Sequence, residues 1–104
     1  MIAVAVDDEP LMLSALTKAV QASADITAVA DFTSCEDALK IIKSNRVDVA
    51  FLDINMRGMG GLSLAEKMIG FRPECKIVFF TGYEEYGIPG FKLLASGYIM
   101  RTIT

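Results

Sequence analysis

Short apolar runs that end in polar or charged residues alternate along the chain with stretches whose apolar positions recur every three or four residues. Ile2 to Val6 is unbroken and rich in β-branched side chains, which is how a strand buried on both faces of a parallel sheet reads. It stops at Asp7-Asp8-Glu9. Pro10 suits the first residue of a helix, and Leu11, Ala15, Leu16, Ala19 and Val20 then form the predicted inward stripe. Ile26 to Ala30 reads as a second strand. Ser34 caps a helix through about Ser44 with Ala38, Leu39 and Ile42 inward, and Val47 to Leu52 is a third strand.

Asn55-Met56-Arg57-Gly58-Met59-Gly60-Gly61 is a loop by its glycine content, after which Leu62 to about Ile69 resumes helical spacing. Arg72-Pro73-Glu74 is a turn, Lys76 to Phe80 a fourth strand, and Thr81-Gly82 its end. Tyr83 to Ala95 has the place of a helix, but Gly87, Pro89 and Gly90 oppose one, so it is expected to start late or break. Gly97 to Ile103 reads as a fifth strand. Strands alternating with helices imply right-handed crossovers, hence an α/β fold: a flavodoxin-like, doubly wound, five-stranded parallel sheet in the order 2-1-3-4-5, lacking the final helix.

A chain of 104 residues has room for one hydrophobic core, so residues 1–104 are expected to form a single domain. With 53% hydrophobic and 22% charged residues it can offset its ordering entropy by burial. The net charge is −3 and no two basic residues are adjacent, which argues against direct nucleic acid binding. The absence of histidine excludes His-ligated zinc and every Ser-His or Cys-His nucleophile. Cys35 and Cys75 match no metal or redox spacing and read as reduced structural thiols. No apolar run has the length of a membrane span, and Asp7 and Asp8 stand where a signal peptide would be apolar. A soluble, cytoplasmic protein with no membrane contact is expected.

In such a fold the working surface lies at the carboxyl ends of the strands. Asp7 and Asp8 end the first strand, Asp53 the third, Thr81 the fourth and Arg101 the fifth. Three carboxylates meeting on one edge need a cation or protons to offset their repulsion, and oxygen ligands favour Mg²⁺, an ion that readily shares a phosphate. An aspartate beside such an ion can attack phosphorus and form an aspartyl phosphate, with Thr81 donating its hydroxyl to a phosphate oxygen. The plainer alternatives are that Asp7-Asp8 caps the helix beginning at Pro10, that Asp53 is a solvated loop residue and that Thr81 merely ends a strand. The methionines Met12, Met56, Met59, Met68 and Met100 read as gap fillers.

These residues resemble the receiver domains of two-component response regulators over essentially the whole chain. The likeness rests on Val-Asp-Asp-Glu-Pro at 6–10, Phe-Leu-Asp-Ile-Asn-Met at 51–56, Gly-Leu at 61–62, Lys-Ile-Val-Phe-Phe-Thr-Gly at 76–82 and Ala-Ser-Gly-Tyr at 95–98. The resemblance implies Asp53 as phosphoacceptor, Asp7 and Asp8 as the acidic pair holding Mg²⁺, Asn55 as a metal ligand through its backbone carbonyl, and Thr81 and Tyr98 as a switch pair. It further implies a sensor histidine kinase as partner and a chain that catalyses only its own modification, so not an enzyme in the metabolic sense. Tyr83-Glu84-Glu85-Tyr86 leading to Phe91-Lys92 is similar to receivers that carry a LytTR-type DNA-binding output.

The chain departs from the family where a lysine followed by proline is usual. Arg101-Thr102 keeps the charge but changes its shape, so a trans bond and a displaced Arg101 are expected. Arg57 replaces a usual proline and Gly60 a common acidic residue. Without a final helix, one sheet face beside the fifth strand should expose an apolar patch that a second copy of the chain, a partner helix or a rearranged C-terminal segment would cover. The competing function is a degenerate receiver that acts as a phosphorylation-independent interaction module. A haloacid-dehalogenase-like phosphatase fits less well, since it wants an aspartate where this chain has Asn55.

Overall fold

In a computed structural model the described residues are 1–54, 56, 60–80 and 98–100, the last three and Phe80 by backbone alone. The strands are β1 (Ile2–Val6), β2 (Ala28–Phe32), β3 (Val49–Asp53) and β4 (Lys76–Phe80), and the helices α1 (Pro10–Gln21), α2 (Cys35–Ser44) and α3 (Gly61–Phe71). The four strands lie parallel in the order β2-β1-β3-β4, and the backbone of Tyr98–Met100, β5, pairs parallel with β4.

Because β2 lies on one side of β1 and β3 on the other, right-handed crossovers put α1 on one face and α2 with α3 on the opposite face. Register aligns Val6, Leu52 and Phe79 in one row and Val4, Ala50 and Ile77 in the next, and partners in a row share a face. Phe79, Leu52, Val4 and Val6 are fully buried together with Ile42 of α2 and Leu64 and Met68 of α3. Each such large side chain contributes about 1.5–3 kcal/mol by leaving water. The order reverses between β1 and β3, so a crevice opens at the carboxyl ends of those two strands.

The predicted inward stripe of α1 holds at Leu16 and Val20 and is corrected at Leu11, Ala15 and Ala19. Leu13, Leu16 and Val20 are buried, whereas Leu11 is 80% exposed and Ala15 and Ala19 also face solvent. Apolar residues lie on more than one side of this helix, and packing on the sheet buries only one of those sides. Met12 is likewise exposed rather than filling a gap, while Met68 is buried as expected. The second strand begins two residues later than predicted, at Ala28, because Thr27 instead donates its N–H to Met1 O, and the third begins at Val49. Helix α2 starts as predicted: Ser34 Oγ accepts the N–H of Asp37 at 3.3 Å.

Several expectations concern positions outside the described residues: the broken helix over 83–95, the Arg101–Thr102 bond, and the side chains beside which the apolar patch would lie. Among the described residues the large exposed apolar side chains on helices are Leu11 and Met12 of α1 and Leu62, Ile69 and Phe71 of α3. No described helix is long and apolar enough to cross a membrane. Cys35 and Cys75 are free, buried thiols, and burial pushes each up to about 11.

Candidate metal and phosphoryl site

The last ladder bond between β1 and β2 is donated by Asp7 N to Phe32 O at 3.1 Å, and it carries the Asp7 side chain into the crevice at the strand ends. Its Oδ1 accepts the N–H of Glu9 at 2.9 Å, closing a tight turn ahead of Pro10. Glu9, not the aspartate pair, occupies the N-cap of α1, and its side chain makes no cap bond. Asp7 thus holds the turn just ahead of the helix rather than its N-cap position. Asp53 ends β3, one position beyond the row that holds Val6 and Leu52.

One carboxylate oxygen from each of Asp7, Asp8 and Asp53 lies within 4.8 Å of the others. Asp7 is 2% exposed and Asp53 7%, while Asp8 is half-buried. Burial raises the Asp7 carboxyl above its ordinary value, against the Glu9 amide bond that lowers it; the Asp8 charge raises it further, and a side-chain hydrogen bond with Asp53 lowers it. Negative charge gathered out of water is thus under pressure to be neutralised. An octahedral Mg²⁺ places its donors about 3 to 4.2 Å apart, so a contraction of roughly half an ångström would fit this oxygen set to the ion. The donor set suits Mg²⁺: hard oxygens, no nitrogen and no thiolate.

The segment after Asp53 returns to pack beside it. Gly60 has φ +77° and is the N-cap of α3, a backbone state in which glycine has no steric penalty. Gly61 donates its N–H to Ile54 O at 3.3 Å. The Cys35 thiol, at the start of α2, lies 3.9 Å from Gly60 O and 3.8 Å from the sulfur of Met56. Neither the neighbourhood of Cys35 nor the closeness of Gly61 to Asp53 is legible in sequence spacing, since both depend on how α2 and α3 meet the sheet.

Of the site residues named from sequence, the structure brings together Asp7, Asp8 and Asp53. Asn55, Thr81 and Arg101 lie outside the described residues, as does the side chain of Tyr98.

The family model for the response regulator receiver domain matches residues 3–104. The chain is 33% identical over 96 residues to the sensory transduction protein LytT of Enterococcus faecalis, covering 92% of this chain and 40% of LytT. It is 34% identical over 96 residues to the transcriptional regulatory protein YpdB of Escherichia coli, covering 92% of this chain and 39% of YpdB. It thus spans well under half the length of these relatives. Among solved structures, the response regulator TrrA of Thermotoga maritima, in complex with Mg²⁺ and BeF, superposes with a TM-score of 0.72 at 30% identity, covering 82% of this chain and 72% of TrrA. The response regulatory domain of mrkE from Klebsiella pneumoniae gives 0.72 at 32% identity, covering 84% and 71%.

Proposed function

The chain belongs to the response regulator receiver domain family, of the LytTR-associated type and a part of two-component signalling, and on that premise we propose that Asp53 accepts a phosphoryl group from a sensor histidine kinase. The observation that carries this reading is the meeting of Asp7, Asp8 and Asp53 within 4.8 Å at the point where strand order reverses. Asp7, Asp8 and Asp53 would hold Mg²⁺ through carboxylate oxygens, with the Asn55 backbone carbonyl as a further ligand. The ion supplies positive charge that offsets the carboxylates and the incoming phosphoryl oxygens. That TrrA takes up Mg²⁺ and BeF supports the assignment.

In the transfer, an Asp53 carboxylate oxygen attacks phosphorus, the phosphorus–nitrogen bond to the kinase's phosphohistidine breaks, and its electron pair stays with the imidazole. Asp53 lies at the end of a strand held on both sides, so little motion is needed to bring its oxygen to the crevice. Arg101 and the Thr81 hydroxyl bind the transferred oxygens, and Thr81 with Tyr98 reports the change. The chain modifies only itself and turns over no metabolite. This reading includes a fifth strand completing the order 2-1-3-4-5.

The test is to add acetyl phosphate with Mg²⁺ and weigh the protein. One added phosphoryl group in the wild type and none in Asp53→Asn is the expected result. A wild type that gains no mass and shows no response to beryllofluoride overturns the phosphoacceptor reading and leaves a phosphorylation-independent interaction module.

A further inference from the structure

The first residue of α3 touches the backbone of the last residue of β3. A Cβ built on Gly61 would lie 2.0 Å from Asp53 O, 2.9 Å from Asp53 C and 3.2 Å from Ile54 Cα. No real Cβ sits so near a backbone oxygen, and the Asp53 carbonyl, at the last position of β3 and paired only with Phe80 of β4, cannot turn aside as the end of a flexible side chain can, so the backbone itself must shift. Gly61 is buried, and its amide is bonded back to Ile54 O at 3.3 Å. Gly70, in the last turns of the same helix, meets nothing within 4 Å. Helix propensity alone favours alanine over glycine at both places, so the close approach distinguishes Gly61.

Resting on the metal-site reading of Asp53, we infer that Gly61 is a positioning residue for that site: its missing side chain lets α3 seat against the Asp53 backbone and so sets where the Asp53 carboxylate stands relative to Asp7 and Asp8. A Cβ at position 61 requires the helix start and Asp53 to part by about 1 Å before even a tight contact of 3.0 Å is restored. The three oxygens span at most 4.8 Å and already need to close by roughly half an ångström to share an ion whose bonds are about 2.1 Å long, so a further shift of about 1 Å outward leaves one of them beyond its reach. Asp7 and Asp8, borne by β1, would not follow the displacement, because their position depends on the ladder bond to Phe32 and the turn at Glu9.

The experiment compares Gly61→Ala with Gly70→Ala by Mg²⁺ titration, and follows the carboxyl resonances of Asp7 and Asp53 without metal. Gly61→Ala should raise the Mg²⁺ dissociation constant at least tenfold and shift both resonances, with Gly70→Ala within twofold of wild type and its resonances unmoved. A folded Gly61→Ala whose affinity stays within twofold overturns the inference. If the wild type binds no Mg²⁺, the proposed function fails instead, and the metal-free resonances decide the role of Gly61: moved in Gly61→Ala alone supports it, unmoved overturns it. If Gly61→Ala does not fold, hydrogen exchange of the wild-type Gly61 amide decides: at least tenfold slower with Mg²⁺ and beryllofluoride supports the inference, and an unchanged rate overturns it.

Discussion

Replacing Asp7 by asparagine should make the metal-free protein more stable while removing its response to Mg²⁺. Asp7 is 2% exposed and its carboxylate lies within 4.8 Å of those of Asp8 and Asp53. The charge that repels it is chiefly that of Asp8, by about 1 kcal/mol where water screens the pair and at most about 3.5 kcal/mol at an effective dielectric constant near 20, while Asp53 offsets part of this through a side-chain hydrogen bond. Protonation sets a ceiling: between the ordinary value of 3.8 and pH 7, at about 1.4 kcal/mol per unit, the strain on Asp7 cannot exceed about 4 kcal/mol before it binds a proton. Asparagine keeps an oxygen for the Glu9 amide and loses the charge, so a gain of about 1–3 kcal/mol is expected at pH 7.5 in chelator.

The sign with pH follows from the direction of the shift. Asp7 is raised, so the folded wild type binds the proton more tightly than the unfolded chain. Its contribution is fully present below 3.8 and is lost as pH rises through the folded value. The advantage of Asp7→Asn should therefore grow with pH across that window and then level off. Mg²⁺ at a hundredfold excess over its dissociation constant adds about 2.7 kcal/mol to a protein that binds it, which brings the wild type level with the variant or above it. Urea unfolding with chelator and with Mg²⁺ reads both effects. An Asp7→Asn protein no more stable than wild type in chelator would refute the claim that the three carboxylates strain the fold.

Other outcomes follow from single contacts. Ser34→Ala removes the acceptor for the Asp37 amide and should cost about 1 kcal/mol, or roughly 4–8 °C in Tm by calorimetry. Asp48 is held below its ordinary range chiefly by the Ile2 amide, with Arg46 assisting. It therefore stabilises the fold above 3.8, and that stabilisation is lost as pH falls through the lower folded value. Asp48→Asn should flatten the acid limb of an unfolding-midpoint profile. Cys35 and Cys75, with thiols pushed up to about 11, hold about one part in a thousand as thiolate at pH 8. An aromatic disulfide reagent should label both slowly in the native protein and at once in urea.

Much of this molecule was legible because its strands are short, apolar and terminated by charge. β1 and β4 were located to the residue, since Asp7 and Lys76 mark ends that no buried strand continues past. The start of α2 was legible at Ser34, because a cap is a local interaction between residues three apart. Alternation and the handedness of crossovers implied a parallel sheet but allow more than one strand order; the flavodoxin-like order expected for it is the one observed, and it puts the carboxyl ends of β1 and β3 side by side. That Asp7, Asp8 and Asp53 stand at the carboxyl ends of strands was contained in the sequence; that those ends are neighbours was decided by the strand order.

The buried face of α1 was legible only in part: Leu16 and Val20 were placed on it correctly, but Leu11, Ala15 and Ala19, at similar spacing, were placed there too and Leu13 was not. Spacing along the helix does not choose between them; packing against the sheet does. The approach of Gly61 to Asp53 O was equally hidden, although the two are only eight positions apart. Periodicity reports which residues leave water together. It carries no information on how closely two backbones meet, and that distance is decided by helices settling on a sheet whose every row is already filled.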